Sequence, residues 1–348
     1  MKERGKLESI FVSVVLPVLN EDKHIGGVLE ALSGQQYPPD KFEILVVDGG
    51  STDETVPLAT SLSKVHLNIR VIENPRRLSS SGRNVGARAA KGDIVLFVDG
   101  HCEIPDEFLL RNLAELFRST SADVICRPQP LEVAGMARVQ KAIAIARASR
   151  LGHNPSSLIF STAKEGFVTP DSSGAAYTRR VFERIGYYDE RFDACEDVDF
   201  NLRARKAGLR AFSSPRVTVR YKPRETLGSL FRQMLRYGAG RAQLFLKHPR
   251  DTVSSSVLLG APLVLAIVLV ILAPFSGAAG SLLLSAACGY VLVVALASLV
   301  LSGKNELRLM PLIFAALLMT HVGLLLGFWK GLTGFRLSGQ RGTEGAQR

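Results

Sequence analysis

Short apolar runs that stop abruptly at acidic residues set the pattern of the first hundred positions. Ile10–Leu19 (IFVSVVLPVL) gives way to Asn20-Glu21-Asp22, and Phe42–Val47 runs straight into Asp48-Gly49-Gly50. A third run, at about residues 67–72, reaches Asn74-Pro75, and Ile94–Val98 ends in Asp99-Gly100-His101. Runs of this length, rich in branched residues and bounded by glycine or proline, predict strands buried on both faces. Between them the spacing predicts helices. One spans about 22–34, with Ile25, Val28, Leu29 and Leu32 on one face. A second is capped by Ser51 or Thr52 with Asp53 and Glu54 in its first turn, and a third lies within LSSSGRNVGARAAKGD, ending at Gly92. Strands alternating with helices predict an α/β fold with a mostly parallel sheet, close to a Rossmann-like nucleotide-binding half.

The pattern changes late in the chain. Val257–Pro274, Leu282–Leu301 and Met310–Phe328 are uncharged apolar runs of roughly 17–20 residues, long enough or nearly so to cross a bilayer as helices. The sequence thus predicts an α/β domain over 1–250, a membrane region of about three helices over 251–330, and a disordered tail over 331–348. Lys304 and Arg308 mark the loop SGKNELR, so the positive-inside rule puts the first domain and this loop in the cytoplasm. Three crossings then leave Lys330, Arg336, Arg341 and Arg348 outside, against the same rule, unless one segment is re-entrant. His321, polar at membrane depth, is expected to pair with a head group or another helix. Residues 132–150 have helical spacing with a light positive face, for which core packing is expected ahead of an interfacial helix.

Composition narrows the classes. Hydrophobic residues make up 47% of the chain, and the excess gathers after residue 256. Cys102, Cys126, Cys195 and Cys288 have no paired spacing, which argues against a disulfide framework or zinc site and suits a reducing cytosol. The start, MKERGKLESI, has no apolar core, so no signal peptide is expected. Between Arg203 and Arg250 thirteen Lys or Arg face one acid, Glu225, which accounts for the net charge of +11. A solvated face is the default for such a run, but its place ahead of the apolar segments favours anionic head groups or a lipid-linked diphosphate. No nucleic-acid-binding motif or aromatic-and-basic stacking surface is present, so nucleic acid is not the expected partner. GxGxxG and P-loop signatures are absent, which argues against ordinary dinucleotide binding and a Walker ATPase.

Ligands of open α/β sheets bind beyond the carboxyl ends of the strands, where this chain sets Glu21 and Asp22, then Asp48, then Asp99. Each alone suits a turn. In succession they suit a diphosphate-bearing ligand held through a divalent metal on Asp99 and His101, with Asp48 free to accept hydrogen bonds from a base or ribose. Downstream, Ser172, Ser173, Gly174 and Ala175 are small enough to let backbone approach a substrate. Cys195-Glu196-Asp197 then opens a helix. Its acids serve either as favourable first-turn charges or as a base.

Taken together, SVVLPVLNED, ILVVDGGSTDET and SSSGRNVGARAAKGDIVLFVDGH resemble a family 2 glycosyltransferase of the GT-A fold. The similarity is strongest to the bacterial exopolysaccharide subgroup typified by succinoglycan-biosynthesis transferases, and covers about residues 10–240. It implies a nucleotide-diphosphate sugar donor, with Pro17, Asn20 and Glu21 near base and ribose, Asp48 reading the base, and Arg83 near the donor. Asp99 and His101 would be the metal-binding triplet, for Mn²⁺ or Mg²⁺. Here His101 stands at the second acid position of D-x-D, which favours Mn²⁺. The resemblance also implies an inverting transfer with Asp197 as base ahead of Glu196. FRQMLRYGAGR is similar to the Q-x-x-R-W element of membrane polysaccharide synthases: Gln233 and Arg236 match, and Tyr237 replaces Trp. With Gly174 these would serve the acceptor and its diphosphate. The implied activity is transfer of a sugar to a polyprenyl-diphosphate-linked saccharide at the inner membrane, in exopolysaccharide or cell-surface glycan synthesis. A non-catalytic nucleotide-sugar-binding scaffold is the alternative, disfavoured because Asp48, Asp99, Asp197 and Arg236 are all kept. A processive synthase is disfavoured by Tyr237 and by too few helices for a translocation channel.

Overall fold

Four apolar runs form the parallel half of a sheet: β1 (Val12–Val18), β2 (Phe42–Asp48), β3 (Ile69–Glu73) and β4 (Ile94–Phe97). The structure, a computed structural model, describes residues 10–131, 135–154, 157–162, 165–303 and 306–341. β1 runs parallel to β2 and β4 on either side of it, and β2 runs parallel to β3. The remaining strands are short: β5 (Cys102–Glu103), β6 (Val124–Cys126), β7 (Gly166–Val168), β8 (Gly174–Thr178), β9 (Ala211–Ser213) and β10 (Arg220–Tyr221). The main sheet has the order β3-β2-β1-β4-β8-β6-β9-β7, with β5 and β10 paired separately. β8 is antiparallel to both β4 and β6, so β4 and β6 run the same way. Asp48, Asp99 and Arg127, each at or just past a strand's carboxyl end, therefore leave the sheet at one edge, where β8 begins at Gly174.

Helices α1 (Ile25–Ser33), α2 (Thr55–Val65), α3 (Ser79–Ala89) and α4 (Leu109–Thr120) follow the first strands, and α5 (Arg138–Ala148), α6 (Arg179–Ile185) and α7 (Glu196–Lys206) come later. On one face Ile25, Leu29, Leu32, Leu110 and Leu113 pack with Val14, Leu16, Ile44 and Leu96. On the other, Ala87, Val181, Phe182 and Phe200 pack with Val15, Leu45, Val47 and Phe97. Full burial of each such aliphatic side chain stabilises by about 1.5–3 kcal/mol. α3 rests directly on β1, because a Cβ at Gly86 would lie 2.2 Å from Val15 Cγ1.

The second compact unit is helical: α8 (Leu227–Lys247), α9 (Pro249–Leu272), α10 (Gly277–Ser302) and α11 (Met310–Arg341). Among the described residues, three of its helices are long and apolar enough to cross a membrane, with mean hydropathies of 2.7 for Ser255–Leu272, 2.3 for Gly277–Ser302 and 2.2 for Leu307–Gly334. The division differs from the expected one at residue 250. One unit is Met1–Glu132 with Pro155–Lys222, and the other is Val133–Asn154 with Pro223–Arg348. The reason lies in α8, whose charges conceal a face of small residues packed backbone-to-backbone on α11. A Cβ at Gly238 would lie 2.2 Å from the Leu324 carbonyl oxygen, and one at Gly327 would lie 2.2 Å from that of Leu235.

α5 does pack in a core, but that of the helical unit. Its Ala142, Ile143 and Ala146 join Leu230, Met234, Ile313 and Ala316. His321 finds the helix partner expected of it: Nδ1 lies 2.9 Å from Tyr290 Oη, and Nε2 lies 2.8 Å from the Leu151 carbonyl oxygen. Helix α11 continues to Arg341, so residues 331–341 are helical rather than disordered as expected. Residues 132–134, Lys304 and the tail 342–348 lie outside the described residues.

Candidate active site

The loops after β1 and β2 are laced together. Asn20, at a left-handed φ of 55°, donates its N–H to Ser51 Oγ at 2.8 Å, and its side-chain oxygen accepts from the Thr52 N–H at 2.9 Å. The Glu21 N–H donates to Thr55 Oγ1 at 2.7 Å. Asp48 is buried and organises its own turn, accepting from the Gly50 N–H at 2.8 Å and from the Ser51 N–H at 3.1 Å. A carboxylate has about four acceptor positions, so this leaves room for a further donor. Pro17 sits half-buried within β1, in register with Val47.

Arg83 joins the two acidic clusters seen in the sequence. From α3 its Nη2 lies 3.2 Å from Asp99 Oδ1 and its Nε 3.3 Å from Glu196 Oε1, and Ser79 Oγ donates to the same Glu196 oxygen at 2.7 Å. The guanidinium also lies 5.4 Å from the centre of the Phe97 ring and 5.9 Å from that of Tyr188. Burial alone would lower the Arg83 pKa, but Asp99 and Glu196 reverse this, so it is held firmly in its charged form. Burial likewise opposes ionisation of Asp99, yet Arg83, with His101 and Arg127, brings its carboxyl below the ordinary value. At Glu196 burial prevails over Arg83, and the nearby Asp197 adds to it, so that carboxyl is raised.

Neighbouring carboxylates at the start of α7 are thus treated differently. Cys195 adopts a left-handed φ of 65° immediately before the helix. Glu196 turns inward and is buried, whereas Asp197 is exposed, its Oδ1 accepting from the adjacent Val198 N–H at 2.9 Å. Gly174 is closely packed against α7. A Cβ there would lie 2.4 Å from Asn201 Oδ1, so the missing side chain makes room for α7. Gln233, Arg236 and Tyr237 lie on α8 in the helical unit, where Gln233 Nε2 donates to Tyr237 Oη at 3.3 Å.

The fit of a metal can be judged from His101. Its Nδ1 lies 2.8 Å from Glu21 Oε1, while the buried Nε2 has no hydrogen-bond partner. A carboxylate on one imidazole nitrogen with the other left free is the arrangement that orients a metal-ligating histidine. Among the described residues no group of three or more His, Cys, Asp or Glu could hold a metal. Asp99 and His101 supply an oxygen and an imidazole nitrogen, donor types that a divalent cation accepts. Ser79 and Arg127 were not singled out from sequence. Ser79 is one of three consecutive serines, and Arg127 follows a strand of only three residues that reads as loop.

Comparison with known proteins gives this geometry a context. The profile described as Glycosyl transferase family 2 matches residues 13–186. The succinoglycan biosynthesis protein ExoA of Rhizobium meliloti (strain 1021) is 30% identical over 338 residues, 95% of this chain and 98% of that protein. A Methanococcus voltae dolichyl N-acetyl-alpha-D-glucosaminyl phosphate 3-beta-D-2,3-diacetamido-2,3-dideoxy-beta-D-glucuronosyltransferase is 28% identical over 250 residues, 68% of this chain and 74% of that protein. Among solved structures, the mannosyltransferase PcManGT from Pyrobaculum calidifontis, in complex with GDP-Man and Mn²⁺, aligns with a TM-score of 0.56 and 22% identity, covering 91% of this chain and 88% of that one. The chain belongs to glycosyl transferase family 2, and its mixed, parallel-rich α/β unit has the GT-A fold.

Proposed function

We propose that the protein is a membrane-anchored, inverting glycosyltransferase. In this reading it moves a sugar from a nucleotide-diphosphate donor to a polyprenyl-diphosphate-linked saccharide, in exopolysaccharide or cell-surface glycan synthesis. The observation that carries the reading is the division of labour at the sheet edge. Arg83 clamps Asp99 and the buried Glu196, and leaves Asp197 exposed beside them. The names of the relatives support the substrate classes: one acts in succinoglycan biosynthesis, one on a dolichyl-linked saccharide, and one binds GDP-Man with Mn²⁺.

In this mechanism Asn20, Glu21 and Asp48 line the base and ribose side, with Pro17 behind them. Asp99 and His101 would hold a divalent cation, Mn²⁺ or Mg²⁺, which when bound would offset the charge of the departing nucleoside diphosphate. Arg83 keeps Asp99 ionised. Asp197 takes the proton of the acceptor hydroxyl as that oxygen attacks the anomeric carbon from the face opposite the leaving group. Glu196 fixes the turn that presents Asp197. In the sheet unit Gly174 serves the acceptor, and in the helical unit Gln233, Arg236 and Tyr237 are assigned to a lipid-linked diphosphate. The catalytic unit lies on the cytoplasmic side of the inner membrane, where a basic stretch ahead of the spanning helices favours anionic lipid.

The test is transfer by the full-length protein from a panel of nucleotide sugars to polyprenyl-diphosphate saccharides, with Mn²⁺ or Mg²⁺. Product of inverted anomeric configuration, lost in excess chelator and greater with Mn²⁺, is expected. Full activity in chelator would remove Asp99 and His101 from their metal role. Binding of a nucleotide sugar without turnover on any acceptor would favour a scaffold.

A further inference from the structure

Arg127 has no part in the mechanism above, yet it emerges from β6 at the same sheet edge as Asp99. It is 5% exposed, and its backbone N–H donates to the Ser173 carbonyl oxygen at 3.2 Å. Its Nη2 reaches the Phe97 carbonyl oxygen at 3.4 Å, the long end of hydrogen bonding. Its Nε and Nη1 are sealed from solvent and have no hydrogen-bond partner. Asp99 feels the charge of Arg127, but Oδ1 of Asp99 is already engaged by Arg83.

A guanidinium does not shed its proton, so Arg127 cannot escape burial by becoming neutral, as a lysine or histidine can. A buried charge with most of its donors unused is costly and is relieved by an anion of matching geometry. Phosphoryl oxygens supply that match. The long contact to Phe97 is a weak tether, easily exchanged for such a ligand. The sheet order sets β6 two strands beyond β4, on the side away from β1, β2 and β3. An anion at Arg127 would therefore lie at the far end of the donor from its base.

We propose that Arg127 binds a phosphoryl oxyanion of a diphosphate, that of the nucleotide donor, from the side of Asp99 opposite the nucleotide-binding strands. The inference rests on the donor reading given under Proposed function. The lipid-linked diphosphate carries the same chemistry, and the experiment separates the two sources.

Full-length wild type, Arg127→Met and Arg127→Lys, each in nanodiscs, are titrated with UDP, GDP and dTDP, with the matching monophosphates, and with vesicles containing polyprenyl diphosphate, all with Mn²⁺. For the diphosphate that wild type binds, Arg127→Met should lose about 10- to 100-fold in affinity, and much less for the monophosphate. Arg127→Lys should fall between. The ligand-free Arg127→Met protein should melt no lower than wild type, because methionine fills the space without an unpaired charge. Unchanged diphosphate affinity in Arg127→Met would overturn the proposal. Equal losses for mono- and diphosphate together with a lower ligand-free Tm would overturn it in favour of a structural role. Weakened binding of polyprenyl diphosphate alone would overturn the donor assignment in favour of the acceptor. Failure of wild type to bind any nucleoside diphosphate would sink the donor reading itself, and the proposal with it.

Discussion

The two units turn their apolar residues in opposite directions. In the sheet unit Ile44, Leu45, Val46 and Val47 are completely buried, whereas Leu258 on α9 and Val300 on α10 are 74% and 78% exposed. The first arrangement suits water, with polar groups gathered at one sheet edge. The second suits lipid, where an apolar surface carries no penalty and backbone contact between small residues takes over from hydrophobic burial. α11 departs from its neighbours. A third of its apolar window is buried, against 12% and 11% for those of α9 and α10, because α5 and α8 pack on it. The chemistry of the sheet edge and the anchoring of the helical unit should therefore respond to different substitutions.

The largest expected effect lies at the sheet edge. Removal of a general base typically costs about 10²–10⁴-fold in rate. Asp197→Asn should lose about that much transfer while keeping donor affinity and membrane association, since Asp197 is exposed and accepts from its neighbour's N–H. Glu196→Gln, which acts through Arg83 and Ser79, should lose less. Abolished transfer in Glu196→Gln with an active Asp197→Asn would move the base one residue back. Donor binding lost in both variants, with transfer otherwise intact, would make the pair structural.

Cutting the chain tests the boundary between the units. Truncation at residue 250 leaves α8 without α11, on which Gly238 and Leu235 rest through their backbones. The truncated protein should therefore aggregate or stay with the membrane fraction. Size-exclusion chromatography after expression without α9, α10 and α11 is the measurement. A monodisperse soluble product that binds nucleotide sugar as the full chain does would restore the boundary to 250.

Sequence alone revealed the parallel half of the sheet, because strands buried on both faces read as unbroken apolar runs and β1, β2 and β4 obey that rule. It also pointed to Asp48, Asp99 and Glu196, since each ends a run or opens a helix. It did not reveal β6, β7 or β9, each of three residues and too short to show a period. Arg127 went unnoticed for the same reason. Nor did it reveal that α8 belongs with the apolar helices. The contact face there is made of glycine and alanine, which carry little hydropathy, while Arg232, Arg236 and Arg241 dominate the reading.

Glycine substitutions sharpen the comparison at a smaller scale. A Cβ at Gly327 would lie 2.2 Å from the Leu235 carbonyl oxygen, and one at Gly86 would lie 2.2 Å from Val15 Cγ1, so neither fits without movement. Gly327→Ala should destabilise the helical unit and Gly86→Ala the sheet unit, each by about 1–3 kcal/mol. Gly289→Ala is the control, as nothing lies within 4 Å of its Cβ position, and it should be neutral or stabilising. Thermal unfolding in one detergent compares all three. Equal melting of Gly327→Ala and Gly289→Ala would mean that α8 and α11 are not in backbone contact.

The smallest effect concerns pH and separates the units by their own probes. The folded protein raises the Glu196 carboxyl above its ordinary 4.5, so its contribution to stability is fully present below that value and is lost as pH rises through the folded one. Asp99 behaves oppositely: lowered from 3.8, it contributes above that value, and the contribution is lost as pH falls through the folded one. Above about pH 5.5 the lowered carboxyls of Asp99, Asp53 and Glu115 are ionised in both states, so Glu196 sets the trend there. Stability of the sheet unit should therefore decline as pH rises from there through the raised Glu196 value. Glu196→Gln should remove that decline, gaining on wild type as pH increases. Hydrogen exchange at β1 and β4 reads the sheet unit. Trp329, the single tryptophan, lies on α11 and reports the helical unit by fluorescence. The tryptophan transition should be the same in wild type and Glu196→Gln at every pH, while exchange at β4 differs between them. A tryptophan transition that followed the Glu196 titration would show the two units unfolding as one.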